Sequence, residues 1–125
     1  MRNTERRVRR GNTITQALEY QLDACCNDGR ITAMVVADGD GLPLASSGDT
    51  YACDEVAARM VRVGPRLLEF NGTVLNNSGQ QWEVQILKIF VSGSELLVCA
   101  VGGTAEARSR QITRGAAGAV RILAA

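Results

Sequence analysis

The chain has 125 residues, of which 46% are hydrophobic and 22% are charged, and its formal net charge is +1 at pH 7. This length and composition are typical of one globular domain that buries its own core. Nucleic-acid-binding domains usually carry a clear basic excess, so the near-neutral charge predicts no nucleic-acid partner.

The first twelve residues form an Arg-rich segment that contains five arginines and one glutamate. We expect a mobile tail at 1–12, ahead of a single domain at 13–125. A sharper alternative is that the tail docks on an acidic partner or on anionic lipid. No long apolar stretch follows it, and later apolar runs have only the length of a strand. The sequence therefore predicts no signal peptide, no membrane span and a cytoplasmic location.

A first helix is predicted from the spacing of apolar residues between Ile14 and Cys26. Asn12 or Thr13 is suited to cap its start, and Gly29 is suited to end it. The apolar residues form one stripe, so we expect this helix to pack on a sheet.

A β-hairpin follows. Residues 31–38 are apolar on both alternating faces, which is typical of a strand covered on both sides. Asp38-Gly39-Asp40-Gly41 has the chemistry of a turn, and residues 42–47 form the return strand. Pro43 lacks a backbone N–H, so this strand should lie at an edge of the sheet, or Pro43 should be among its first residues.

A second helix should begin between Tyr51 and Asp54, with Asp54 or a neighbour as its cap. Gly64-Pro65 should kink it or split it. Its apolar residues form two adjacent stripes, one with Val56, Met60, Val63, Leu67 and Phe70, the other with Ala57, Val61, Gly64 and Leu68. Two stripes give more apolar area than one sheet covers, and a second copy of the chain is the simplest cover.

The remaining elements are three strand candidates and a last helix. Residues 73–75 form a weak strand or a loop, residues 81–91 a long alternating strand, and residues 95–101 a central strand. The last helix follows Gly102-Gly103-Thr104, and small residues at 116–119 allow it to pack closely on the sheet and the first helix. These elements predict an α+β fold of two to three layers. An antiparallel sheet of about five strands has the first and last helices on one face and the middle helix on the other.

The hairpin residues Met34 to Asp38, Asp40 to Leu44, Ala45 and Ser46, followed by a helix, resemble the Roadblock (dynein light chain) family. The order of elements extends this likeness over about Ile14 to Leu123, and within the family it is to the bacterial MglB-like members. The resemblance implies a profilin-like domain that forms a homodimer through the middle helix and the strand after it. It also implies a small Ras-like GTPase as partner, whose hydrolysis of GTP the bacterial members stimulate by reshaping the GTPase's own active site.

The candidate site residues follow from this resemblance and from the second helix. The predicted dimer interface is Val56, Met60, Val63 and Leu67, and the predicted partner contacts are Arg59, Arg62 and Arg66. Two alternatives stay open: an adaptor for other cytoplasmic signalling or cytoskeletal proteins that has no effect on GTP hydrolysis, and a small-ligand sensor.

No catalytic constellation is predicted. The chain has no histidine, so the usual general base for a Ser or Cys nucleophile is missing, and we expect no enzyme activity. Asp38 and Asp40 fit a turn and lack the spacing of a calcium loop. We expect no cofactor and no metal, and we interpret the four cysteines as buried structural residues: Cys25, Cys26, Cys53 and Cys99.

Overall fold

The computed structural model describes residues 2–63, 66, 68–75 and 78–124, with the backbone alone for residues 2–12 and 63. The elements, in chain order, are α1 (Arg2–Gly29), β1 (Ala33–Asp38), β2 (Pro43–Gly48), α2 (Thr50–Val63), β3 (Glu69–Leu75), β4 (Gln81–Val91), β5 (Ser94–Val101) and α3 (Ala105–Ala124). The predicted α+β class is confirmed, since the described chain forms three helices and one five-stranded antiparallel sheet.

The first helix is longer than predicted. It begins at Arg2, so the predicted start at Asn12 or Thr13 is wrong, and it ends at Gly29 as expected. Arginine is among the better helix formers, which allows the helix to continue through the Arg-rich segment. The mobility of residues 1–12 stays a prediction.

The sheet has the strand order β2-β1-β5-β4-β3, in which every neighbouring pair is antiparallel. β5 is central and β2 is an edge strand that begins at Pro43, as predicted. The hairpin turn is also confirmed. The Asp38 Oδ1 atom accepts hydrogen bonds from the N–H groups of Asp40 at 2.9 Å and Leu42 at 3.0 Å.

Two apolar clusters form the core. One joins the helices α1 and α3 to the sheet, and its buried members include Leu18, Leu22, Met34, Val36, Val98 and Ile112. The other joins α2 to the sheet, through Ala33, Val35, Ala52, Val56, Met60, Leu97 and Cys99. Successive residues of β1 and β5 alternate between the clusters, so the clusters lie on opposite faces of the sheet. We call these the α1/α3 face and the α2 face.

The second helix differs from the prediction at both ends. Asp49 caps it, because the Asp49 Oδ1 atom accepts the Ala52 N–H at 2.9 Å, and Asp54 lies inside the helix. The helix ends at Val63, and Phe70, which fits the spacing of its apolar stripe, belongs to β3. β3 covers seven residues and is longer than the predicted strand at 73–75. The predicted kink at Gly64-Pro65 lies outside the described residues.

The last helix packs against α1 as predicted. Thr104 caps it, since its Oγ1 atom accepts the Ala107 N–H at 3.0 Å. A Cβ atom at Gly118 would overlap the Gln21 side chain, so a larger residue there would require that side chain to move. None of the described helices is long and apolar enough to cross a lipid bilayer.

Candidate protein interaction surface

The α2 face of the sheet is only partly covered. α2 packs mainly on β1 and β2, which leaves β3 and β4 beside it. A cleft of about 260 Å³ remains between the helix and these two strands, and its lining is Val56, Arg59, Arg62, Phe70, Val74, Val84 and Ile86. Five of these seven side chains are apolar. Phe70 and Val74 are half-buried, so part of this apolar lining remains accessible.

Arg59 spans the cleft. Its guanidinium donates a hydrogen bond to the backbone carbonyl of Leu75, at the end of β3. The Arg59 Nε atom is buried and has no hydrogen-bond partner among the described residues. Arg59, one of the predicted partner contacts, is thus half-buried and joins α2 to β3 within the chain.

The outer edge of β3 pairs with no strand in the described part of the chain. The Leu68 carbonyl accepts a hydrogen bond from the Lys88 N–H. Together with the strand register, this contact determines which β3 residues form backbone hydrogen bonds to β4. Because hydrogen-bonded pairs alternate along an antiparallel ladder, Phe70, Gly72 and Val74 bond to β4. The backbone groups of Asn71 and Thr73 therefore point outward. An edge of this kind is a template for another strand.

The outer side of α2 borders a second, more open hollow of about 400 Å³, which is lined by Tyr51, Asp54, Glu55, Ala58, Arg59 and Arg62. The Tyr51 ring meets the Trp82 ring edge to face, with centroids 5.8 Å apart. Trp82 packs against the apolar cluster of the α2 face. The two hollows share Arg59 and Arg62, so they form one continuous surface along α2.

The predicted interface residues are not all available to a second chain. Val56 is 2% exposed and Met60 is 0% exposed, because both pack on the sheet of their own chain. The side chain of Val63 and the whole of Leu67 lie outside the described part. The assignment of Val56 and Met60 to a surface is therefore corrected: their stripe faces the sheet.

The exposed apolar residues of this region come from other positions. Val61, on the second predicted stripe, is 47% exposed, and Tyr51 is 46% exposed. Leu68 and Leu75, before and at the end of β3, are 70% and 56% exposed. Arg62 and Arg66, two predicted partner contacts, are also exposed. Exposed apolar side chains bordered by charges are typical of protein interaction sites.

The cysteines offer no reactive group. All four are free and buried, as predicted. Burial raises the pKa of the Cys25, Cys26 and Cys53 thiols above the ordinary value, and it raises that of Cys99 further. A raised pKa keeps a thiol protonated and therefore poorly nucleophilic at neutral pH. Within the described residues, no group of three or more Cys, Asp or Glu side chains is placed to hold a metal ion.

A scan against protein-family models and a search of curated proteins find no match for this chain. Solved structures do match it. MglB from Myxococcus xanthus aligns with a TM-score of 0.63 at 10% identity, over 87% of this chain and 89% of that one. The gliding protein MglB from Thermus thermophilus aligns with a TM-score of 0.64 at 12% identity, over 87% of this chain and 90% of that one.

A third structure, described as MglB with a tetrameric arrangement, aligns with a TM-score of 0.66 at 13% identity, over 87% of this chain and 89% of that one. At these identities the likeness concerns the fold. The chain has the Roadblock-like fold of MglB, as the hairpin residues predicted.

Proposed function

We propose that the chain is a non-enzymatic, homodimeric regulator or scaffold that binds a small Ras-like GTPase and stimulates its hydrolysis of GTP. The observation that carries this proposal is an incompletely covered α2–β3 surface on an MglB-like fold. The GTPase itself rests on analogy with proteins of the Roadblock family, and fold alone does not fix a partner.

The homodimer is supported by the surface that α2 and β3 leave open. The cleft beside α2 is mostly apolar, the outer edge of β3 pairs with no strand in the described part of the chain, and Leu68, just before β3, is exposed. A second copy that pairs through β3 and α2 would form hydrogen bonds with the outward backbone groups of β3 and would remove apolar area from water. Twofold assembly is the commonest way to do this with one kind of chain.

The dimer then presents the exposed ends of two α2 helices to the GTPase. Arg62 and Arg66 are the candidate contacts with solvent-exposed side chains, whereas Arg59 is engaged with the Leu75 carbonyl. Arginine binds carboxylates in a bidentate way, so these residues fit an acidic patch on the partner. The chain acts on the GTPase by contact alone, and the reacting groups belong to the GTPase.

The test combines the purified chain with a small Ras-like GTPase from the same organism. We expect the two to co-elute from a gel-filtration column and the rate of GTP hydrolysis to rise. Arg66→Glu should weaken both effects, whereas the matched control Arg121→Glu changes an exposed arginine on α3 and should leave them unaltered.

The outcomes separate the alternatives. A GTPase that neither co-elutes nor changes its rate contradicts the proposal. Co-elution without a change in rate supports the adaptor instead. The small-ligand sensor stays a prediction, and a shift in melting temperature with a member of a metabolite panel would support it.

A further inference from the structure

The outer side of α2 carries opposite charges at its two ends. Asp54 lies in the first half of the helix and Arg62 in its last turn, and both are exposed. Ala58 lies between them, is also exposed, and borders the same open hollow of about 400 Å³. A small side chain is thus flanked by an acidic and a basic residue on one helical stripe.

These two charges have no ion-pair partner in the part of the chain that the structure describes. Lys88, Arg108, Arg110 and Arg114 each form an ion pair. Within the described residues, neither Asp54 nor Arg62 does so. Both side chains can therefore form an ion pair with another molecule.

The positions of these residues are symmetric about Ala58. Asp54 precedes it by four residues and Arg62 follows it by four. At a rise of roughly 1.5 Å per residue, the two charged positions are about 12 Å apart along the helix. When two α2 helices run antiparallel about a twofold axis at Ala58, Asp54 of each copy lies opposite Arg62 of the other. In a parallel arrangement, by contrast, Asp54 faces Asp54.

We infer that Asp54 and Arg62 determine which chain this protein pairs with, and that the occupant of the outer hollow is a second copy in antiparallel register about Ala58. The inference rests on the homodimer of the proposed function and adds its register and its selectivity. It assigns Arg62 to the second copy and leaves Arg66 as the candidate contact with the GTPase.

The two charges contribute more to the choice of partner than to the strength of binding. Exposed ion pairs contribute little to binding, because water screens them and their side chains lose freedom. Like charges that face each other disfavour the wrong partner, however, and twofold symmetry makes every such contact occur twice. A related chain that places a like charge opposite Asp54 or Arg62 would thus be disfavoured as a partner.

The test uses charge reversal in the full chain. Asp54→Arg alone and Arg62→Asp alone each place like charges opposite one another in both contacts, and we expect self-association to weaken by about tenfold or more. An equimolar mixture of the two variants restores opposite charges in both contacts. It should therefore associate about as strongly as the wild type, with one copy of each variant in every dimer.

Sedimentation gives the dissociation constants, and native mass spectrometry of the mixture identifies the pairs. The matched control is Arg121→Asp, which reverses an exposed charge on α3. The double variant Asp54→Arg with Arg62→Asp should self-associate again. Asp54→Asn and Arg62→Gln provide a second test, because neutral side chains should remove most of the weakening of self-association that added salt causes in the wild type.

Three results would overturn the inference: single variants that self-associate as tightly as the wild type, a mixture that does not recover association, and a wild type that does not associate. The proposed regulation fails separately. Charge-directed pairing without an effect on GTP hydrolysis contradicts the regulation and leaves the pairing intact. If the wild type stimulates GTP hydrolysis but the charge-reversal variants self-associate normally, only the proposed register is contradicted.

Discussion

The two faces of the sheet are built from similar side chains but are covered differently. On the α1/α3 face, two helices lie side by side and bury a continuous cluster that includes Leu18, Leu22 and Ile112. On the α2 face, one helix of fourteen residues lies over β1 and β2 and leaves a cleft beside β3 and β4. From this difference we expect the first face to supply most of the stability of the single chain, and the second is the face that the proposed homodimer would cover.

The largest expected effect is on the α1/α3 face. Leu22 is 1% exposed and belongs to the cluster that joins both helices to the sheet. Leu22→Ala removes buried methyl groups and leaves a cavity, so we expect the free energy of unfolding to fall by about 2–5 kcal/mol. Urea denaturation measures it. A loss below about 1 kcal/mol would mean that this face is packed no better than the other.

A matched pair of valines compares the faces directly. Val98 is 0% exposed on the α1/α3 face, and Val84 is 2% exposed but lines the cleft on the α2 face. Val98→Ala should cost about 1.5–3 kcal/mol, and Val84→Ala about half of that, because the space it leaves joins an existing cleft. Urea denaturation of both variants, under conditions in which the chain is monomeric, gives the two costs. Equal costs would contradict the proposed difference.

The pH dependence of stability tests whether the part of the α2 face around Cys99 is covered. Cys99 is fully buried there, and burial raises the pKa of its thiol. The folded chain therefore holds this proton while an unfolded cysteine loses it above about pH 8.5. The contribution of Cys99 to the free energy of unfolding is therefore fully present below that pH. It falls as the pH rises, by up to about 1.4 kcal/mol per pH unit for one thiol.

Cys99→Ala should accordingly make the decrease of stability above about pH 8.5 less steep. Urea denaturation from neutral to alkaline pH measures the two slopes. Identical slopes would mean that water reaches this thiol through the cleft.

The smallest expected effect is at the polar contact across the cleft. Arg59→Gln removes the hydrogen bond to the Leu75 carbonyl, and we expect a loss of about 0.5–1.5 kcal/mol. Arg62→Gln is the matched control. Its side chain is exposed, so in the monomer it should change the free energy of unfolding by no more than about 0.5 kcal/mol. An equal loss in both variants would show that Arg59 does not join α2 to β3 in solution.

Part of the fold was predictable because local chemistry determines it. The turn at Asp38 and the edge position of Pro43 follow from backbone hydrogen bonding, and both are confirmed. The start of α1 was not predictable in this way. Arginine suits a solvated tail and a helix equally well, so composition did not separate the two at residues 2–12.

The candidate surface was harder to predict. Spacing revealed two apolar stripes on α2 but not which stripe faces the sheet, and the structure assigns Met60 to the sheet and Val61 to solvent. Phe70 matched the helical spacing by coincidence and lies in β3. The charge symmetry of Asp54 and Arg62 is readable in the sequence once it is known that their stripe is exposed.

Assembly through α2 and β3 is tested most directly by the molar mass of the wild type and of two variants, measured by gel filtration with light scattering. The wild type should have twice the mass of one 13.4 kDa chain. Val61→Glu adds a charge to the exposed stripe of α2. Asn71→Pro removes an outward N–H from β3 without loss of a hydrogen bond to β4. Both variants should remain folded and become monomers. A wild-type monomer, or variants that stay dimeric, would contradict assembly through α2 and β3.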